Sequence, residues 1–265
     1  MENYTRLTCQ IDDGIATVTL NRPDKLNAID MAMFQELDKV AKLLRKNKGV
    51  RVIIVQGAGA DFCSGIDVKS VLANPKNAMK LLWKWLPGQA NLAQRVSVNW
   101  RRLAVPVIMV LHGRCWGGGL QIALGGDFRI AHPETSLAIM ENKWGLIPDM
   151  GGTLALREIM AVDHAMELAM TAKEVDSEYA LKHGLVTHVS DDPLSQANTL
   201  ARELINRNPD TISHIKQLYQ RAWHHNDRRL LAAETWRQIQ IIGGKNQKIA
   251  VIRETKDPQR RWRTK

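Results

Sequence analysis

Short apolar runs alternate with amphipathic stretches along the first 190 residues, and their periods assign most elements. Gly14 to Leu20 alternates apolar and polar positions and reads as a strand closed by Asn21-Arg22-Pro23. Residues 30–47 carry a helical period with Asp30 as the N-cap. Val50 to Gln56 and Val105 to Leu111 are short, largely apolar runs that read as buried strands. Residues 67–90 are looser and rich in Asn, Pro, Lys and Trp; a helix is expected over 89–103. After the glycines at 117–119 the pattern predicts a helix over 118–125, strands near 127–132 and 136–140, helices over 154–160 and 163–171, and a strand over 184–190. From 193 onward the period is helical, broken at Pro209, Asp227 and Gly243-Gly244.

Strands and helices mixed to about residue 190, then helices alone, predict an α/β core followed by a helical subdomain. The expected boundary divides residues 1–192 from 193–265, at Asp191-Asp192-Pro193. With 265 residues, 45% of them hydrophobic, the chain can bury one sizeable core plus a small appendage. The formal charge of +10 favours acidic partners such as phosphates, CoA-type nucleotides, nucleic acid or a membrane surface. The cations are scattered except at Arg260, Arg261, Arg263 and Lys265 around Trp262. Cys9, Cys63 and Cys115 are odd in number and far apart, which fits a reducing compartment and neither a disulfide framework nor a C-x-x-C metal site. The polar start Met1 to Thr5 lacks an apolar signal core, and no apolar run is long enough to span a membrane. A cytoplasmic protein is expected.

Several motif fragments lack their context. Gln56-Gly57-Ala58-Gly59 resembles the start of a dinucleotide fingerprint, but Phe62 stands where the third glycine belongs. Ser64 lacks the flanks of a nucleophile elbow. The histidines form no H-E-x-x-H, and the adjacent His224 and His225 read as surface residues. No metal and no redox cofactor is expected.

The informative chemistry lies in three segments. Asn21-Arg22-Pro23 with Asn27-Ala28 follows the first strand. Phe62-Cys63-Ser64-Gly65-Ile66-Asp67 follows the second. Trp116-Gly117-Gly118-Gly119 and Gly145-Leu146-Ile147-Pro148 follow the third. In order and spacing they closely resemble the crotonase superfamily, the enoyl-CoA hydratase/isomerase family, over about residues 5–250. The resemblance implies a crotonase-type spiral of ββα turns with a helical C-terminal trimerisation subdomain. It also implies acyl-CoA substrates, with CoA as a handle rather than a cofactor, and assembly as a homotrimer or homohexamer.

Proton removal beside a thioester carbonyl produces an enolate, and two preset backbone N–H groups can each contribute roughly 3–4 kcal/mol to its stabilisation. Ser64 and Gly118 match the positions expected for these donors, Gly118 also opening a predicted helix. Hydratases of the family use two glutamates. One position holds Gln121 here, and an amide can hydrogen-bond but cannot accept a proton. The other matches Glu141, the expected base. Asp149 stands where dienoyl-CoA isomerases carry a second acid and where chlorobenzoyl-CoA dehalogenases carry a nucleophile. Burial near Trp144 and Met150 would raise these carboxyl pKa values. Asp67 and Asp127 are read as structural. Lys25, Leu26, Ile66 and Trp144 are expected near the CoA or acyl group, with Gln121 orienting the substrate. Met79, Leu82 and Trp85 share a helical spacing and are assigned to the core. Arg260 and Arg261 belong either to a solvated tail or to a phosphate contact, reached from a neighbouring subunit.

The leading expectation is an acyl-CoA isomerase that moves double bonds, with Glu141 as base and Asp149 as second proton carrier. Its rivals are an enoyl-CoA hydratase with a single catalytic glutamate, a basic RNA-binding homologue, and a dehalogenase using Asp149. Of these, nucleic acid is the least expected partner.

Overall fold

A computed structural model describes residues 4–223 and 225–263; His224 and Lys265, named above, lie outside the described residues. Six strands form the main sheet, in the order β1 (Leu7–Asp12), β2 (Ile15–Leu20), β3 (Val52–Gly57), β4 (Val107–Leu111), β6 (Phe128–Ala131) and β9 (His188–Val189). Only β1 runs antiparallel to its neighbour; the rest are parallel. A smaller sheet joins β5 (Arg114–Trp116), β7 (Ser136–Ala138) and β8 (Glu174–Val175). The central strands are apolar throughout because both faces are covered. One face packs on α1 (Met31–Lys46), α4 (Leu92–Arg101) and the smaller sheet, around Phe34, Leu37, Val55, Trp100 and Met109. The other, lined by Val52, Ile54, Ile108 and Ile130, packs on Ala197 and Ala201 of α9 (Pro193–Ile205).

The mixed α/β architecture agrees with the spiral that the resemblance implies. The chain follows one path four times, after β2, β3, β4 and β6: a main-sheet strand, a short crossing, then a second-layer segment. Second-layer segments of successive turns stand side by side, with Ile29 bridging Ile66, Cys63 bridging Cys115, and Trp116 paired with Ala138. The loops leaving Cys63, Trp116 and Ala138 therefore emerge together, which is how residues 64–67, 117–119 and 141–149 come to share one place.

Asp30 caps α1 as the pattern predicts, accepting from the Met33 N–H at 2.9 Å, a contact type worth about 1 kcal/mol. The loose 67–90 region holds two short helices, α2 (Val68–Leu72) and α3 (Pro75–Leu82). Met79 and Leu82 are exposed and Trp85 is 80% exposed, so their assignment to the core is corrected. The helical spacing runs past the real end of α3 at Leu82, where Trp83 turns extended, and Leu81 is the residue that packs inward. The packing ties the start of the C-terminal helical region to the core. The first C-terminal helix, α9, belongs to the sheet, while α10 (Pro209–Ala222), α11 (Asp227–Ile241) and α12 (Lys245–Thr255) follow beyond it. Short helices α5 (Gly118–Ala123), α6 (Thr153–Ile159), α7 (Val162–Thr171) and α8 (Ser177–Lys182) complete the fold. Among the described residues no helix is long and apolar enough to cross a membrane.

Candidate active site

The loop that leaves β5 begins with Gly117, whose φ of +49° and ψ of −119° would strain any residue with a side chain. That conformation turns the chain into α5. It also brings the backbone beside Glu141, because a Cβ on Gly117 would stand 3.7 Å from Glu141 Oε1. A Cβ on Gly118 would meet Met150 Sδ at 3.0 Å, Ile29 Cδ1 at 3.1 Å and Ile66 Cγ1 at 3.2 Å. Gly65 backs on the Gly118 nitrogen, its absent Cβ lying 3.6 Å away. The segments around residues 65–66 and 117–119 thus meet at Gly118, with Ile29 and Met150 against it.

Two backbone N–H groups at this junction, those of Gly118 and Ile66, have no acceptor among the described residues. Ser64, the donor expected from the motif, is committed elsewhere: its N–H donates to the Leu26 carbonyl at 3.0 Å. A donor already satisfied must break a bond to serve a ligand. Side-chain identity carried no signal for Ile66 as a donor. The nearest cue was its place between Gly65, with φ of +101°, and Asp67, the N-cap of α2.

Glu141 opens a short 3-10 helix, Glu141–Trp144, and is 8% exposed. Its Oε1 accepts from Gln121 Nε2 at 2.6 Å. Its Oε2 is buried and has no hydrogen-bond partner among the described residues. Burial pushes the Glu141 pKa up. Hydrogen bonds from Gln121 and from the backbone oppose that push, and the charge of Asp149 adds to it. Asp149 is half-buried and raised as well, mainly by burial, with Lys84 pulling the other way. Both acids therefore lie together and favour protonation more than an ordinary carboxyl.

Gln121, expected to orient substrate, spends its amide on the protein. Besides donating to Glu141, its Oε1 accepts from the N–H of Met150 at 2.8 Å and of Gly152 at 3.2 Å. It is 2% exposed.

Lys25, Ile66 and Trp144 line one shallow cavity of about 280 Å³ with Ala28, Asp67, Val68 and Lys69. Leu26 lies outside that lining; its φ of +53° instead aims its carbonyl at Ser64. The Asn21-Arg22-Pro23 and Asn27 motif is a scaffold for this wall. Arg22 reaches Asp67 at 2.9 Å and the Ala28 carbonyl at 3.0 Å. Buried Asn27 donates to the carbonyls of Ala58 at 2.9 Å and Asp61 at 2.8 Å. Asp67 thus anchors a turn and caps α2. Asp127 holds Lys216 at 2.6 Å and accepts from the Val107 N–H at 2.8 Å. Cys63 and Cys115 are fully buried, and burial pushes the Cys63 thiol up to about 12, far from a reactive thiolate. No cluster of metal-ligating side chains occurs among the described residues.

Known proteins resemble this chain in sequence or in fold. An Escherichia coli K12 protein named 1,2-epoxyphenylacetyl-CoA isomerase is 32% identical over 210 residues, spanning 78% of this chain and 79% of its own. A Shigella flexneri protein named carnitinyl-CoA dehydratase is 32% identical over 209 residues, spanning 78% and 77%. The fold matches the crystal structure of an enoyl-CoA hydratase from Mycobacterium tuberculosis H37Rv with a TM-score of 0.86 at 25% identity, covering 97% of this chain and 98% of that one. An enoyl-CoA hydratase from Bacillus anthracis has the same fold, with a TM-score of 0.89 at 23% identity, over 97% and 99% of the two chains. The chain matches the enoyl-CoA hydratase/isomerase family over residues 10–262, and with these relatives it belongs to that family of the crotonase superfamily.

Proposed function

We propose that the chain is an acyl-CoA double-bond isomerase. The thioester oxygen lies between the N–H groups of Gly118 and Ile66, with Ile66 in the place first expected for Ser64. Glu141 takes the proton from the carbon beside the carbonyl through Oε2. The electron pair moves onto the thioester oxygen as an enolate, where each free N–H contributes roughly 3 kcal/mol. Returning the proton to a carbon further along the chain moves the double bond, and Asp149 carries that second transfer. Lys25 and Trp144 flank the CoA side of the cavity.

One observation carries the reading: Glu141, which keeps a buried and unpartnered carboxylate oxygen, packs against Gly117, next in the chain to the unused N–H of Gly118. The direct Gln121–Glu141 contact supports isomerisation over hydration, because the neighbour of Glu141 is an amide that cannot take a proton from water. A hydratase or dehydratase acting through Glu141 alone is the second reading, favoured by the relative named as a dehydratase.

Separate incubations with 3-enoyl, 3,5-dienoyl and 2-enoyl thioesters, followed by product identification, decide between them. The isomerase reading predicts shifted double bonds from the first two and little hydration of the third. Rapid formation of 3-hydroxyacyl product from the 2-enoyl thioester would overturn it.

A further inference from the structure

The Gln121 amide has one permitted orientation. Its oxygen faces two backbone N–H groups, of Met150 and Gly152, which can only donate. Turning the amide round would set donor against donor at both contacts. The Nε2 group is thereby aimed at Glu141 Oε1. With 2% of its surface exposed, Gln121 offers nothing to solvent. The other Glu141 oxygen is left alone and buried.

We propose that Gln121 is a positioning residue that ties Glu141 Oε1 and the turn following Asp149 into one network, so that Oε2 alone is presented to the substrate proton. The inference rests on Glu141 being the base. It assigns Gln121 a role through Glu141 rather than through contact with the substrate.

Two substitutions separate the halves of the network. Gln121→Met keeps the length of the side chain and loses all three hydrogen bonds. Gln121→Glu keeps the oxygen that holds Met150 and Gly152, but turns the donor facing Glu141 into a second carboxylate oxygen. Two ionised carboxylates at that separation must share a proton. The charged group acting on Glu141 from the neighbouring loop is Asp149, which is itself opposed by Lys84. Both are the same in either variant. A donated hydrogen bond stabilises the ionised base, so its loss moves the acid limb of the rate profile to higher pH.

The test measures kcat, KM and the pH profile of kcat/KM for the wild type, Gln121→Met and Gln121→Glu, on whichever thioester the wild type turns over. Glu141→Gln serves as control and thermal melts run alongside. The expected result is an inactive Glu141→Gln and a Gln121→Met with kcat down roughly tenfold or more and KM within about threefold. In Gln121→Glu the acid limb moves up by about one pH unit. If Gln121→Met does not fold, Gln121→Glu carries the test alone. Wild-type kcat and an unmoved limb in the Gln121 variants, with Glu141→Gln inactive, would overturn the positioning role alone. So would a lowered melting temperature as their only change. Full activity in Glu141→Gln would overturn the base assignment and this inference with it.

Discussion

Glu141 is a buried acid with one oxygen tied down and one left open. Burial favours its neutral form, so a proton leaves it less readily than from an exposed glutamate. A base with a raised pKa is better matched to an acidic carbon, which is the use proposed for it. The same shift has a stability consequence. In the unfolded chain Glu141 titrates near its ordinary 4.5, and in the folded chain it titrates higher. Its protonation supports folding fully below the unfolded value, and that support is lost as pH rises through the folded value. Glu141→Gln removes the buried charge and keeps an oxygen for Gln121 to bond. The variant is expected to melt above the wild type at pH 7 and to lose that advantage below pH 4.5, as followed by circular dichroism. A difference in melting temperature independent of pH would contradict the shift. Glu141, Asp149 and Gln121 were legible in the sequence because side chains mark them. Of the two N–H groups proposed as donors, the sequence pointed to Gly118 alone. A backbone N–H leaves no trace in residue type, and the carbonyl that occupies Ser64 comes from Leu26, far back along the chain.

At the scale of elements, the chain reveals those whose burial is regular and conceals those whose burial is not. Strands β3 and β4 and helix α1 follow their patterns closely. Strand β1 was missed because it is a largely exposed edge strand with a single buried residue, Leu7. The Asp13-Gly14 pair, with φ of +44° and +80°, was the available signal for its hairpin. Two later helices show apolar faces that nothing in the single chain covers. Helix α7 exposes Val162, Met166 and Met170 at helical spacing, and α11 buries none of its residues while exposing Leu231, Trp236 and Ile239. Exposed apolar faces of this kind mark protein contacts. We propose that other copies of the chain cover them, in the trimer or paired trimer that the resemblance implies. Light scattering on the purified protein is expected to give about three or six times the chain mass of 29.9 kDa, and Trp236→Glu a smaller species. A wild-type monomer at micromolar concentration would contradict this.

For the whole molecule, the spiral is what makes an active site from separate segments. Each turn places a second-layer segment beside that of the turn before, so one loop position recurs three times in register. The family was legible from the three motifs, and the α/β class from the succession of strand and helix periods. The place of α9 was not, because a helix that covers a sheet and one that extends beyond it share the same period. The C-terminal arginines are partly tied down: the Arg263 backbone exchanges hydrogen bonds with Asn246 at 2.8 and 3.0 Å, and Arg253 lies over the Trp262 ring. Arg260 and Arg261 beside that fold-back are exposed. The central claim concerns where a thioester lies relative to Gly118, Ile66 and Glu141, and a crystal structure with a non-reactive acyl-CoA analogue tests it most directly. The account predicts the carbonyl oxygen within about 3 Å of both N–H groups and the adjoining carbon facing Glu141 Oε2. A carbonyl bound to Ser64, or turned away from both donors with Glu141 out of reach of that carbon, would contradict it.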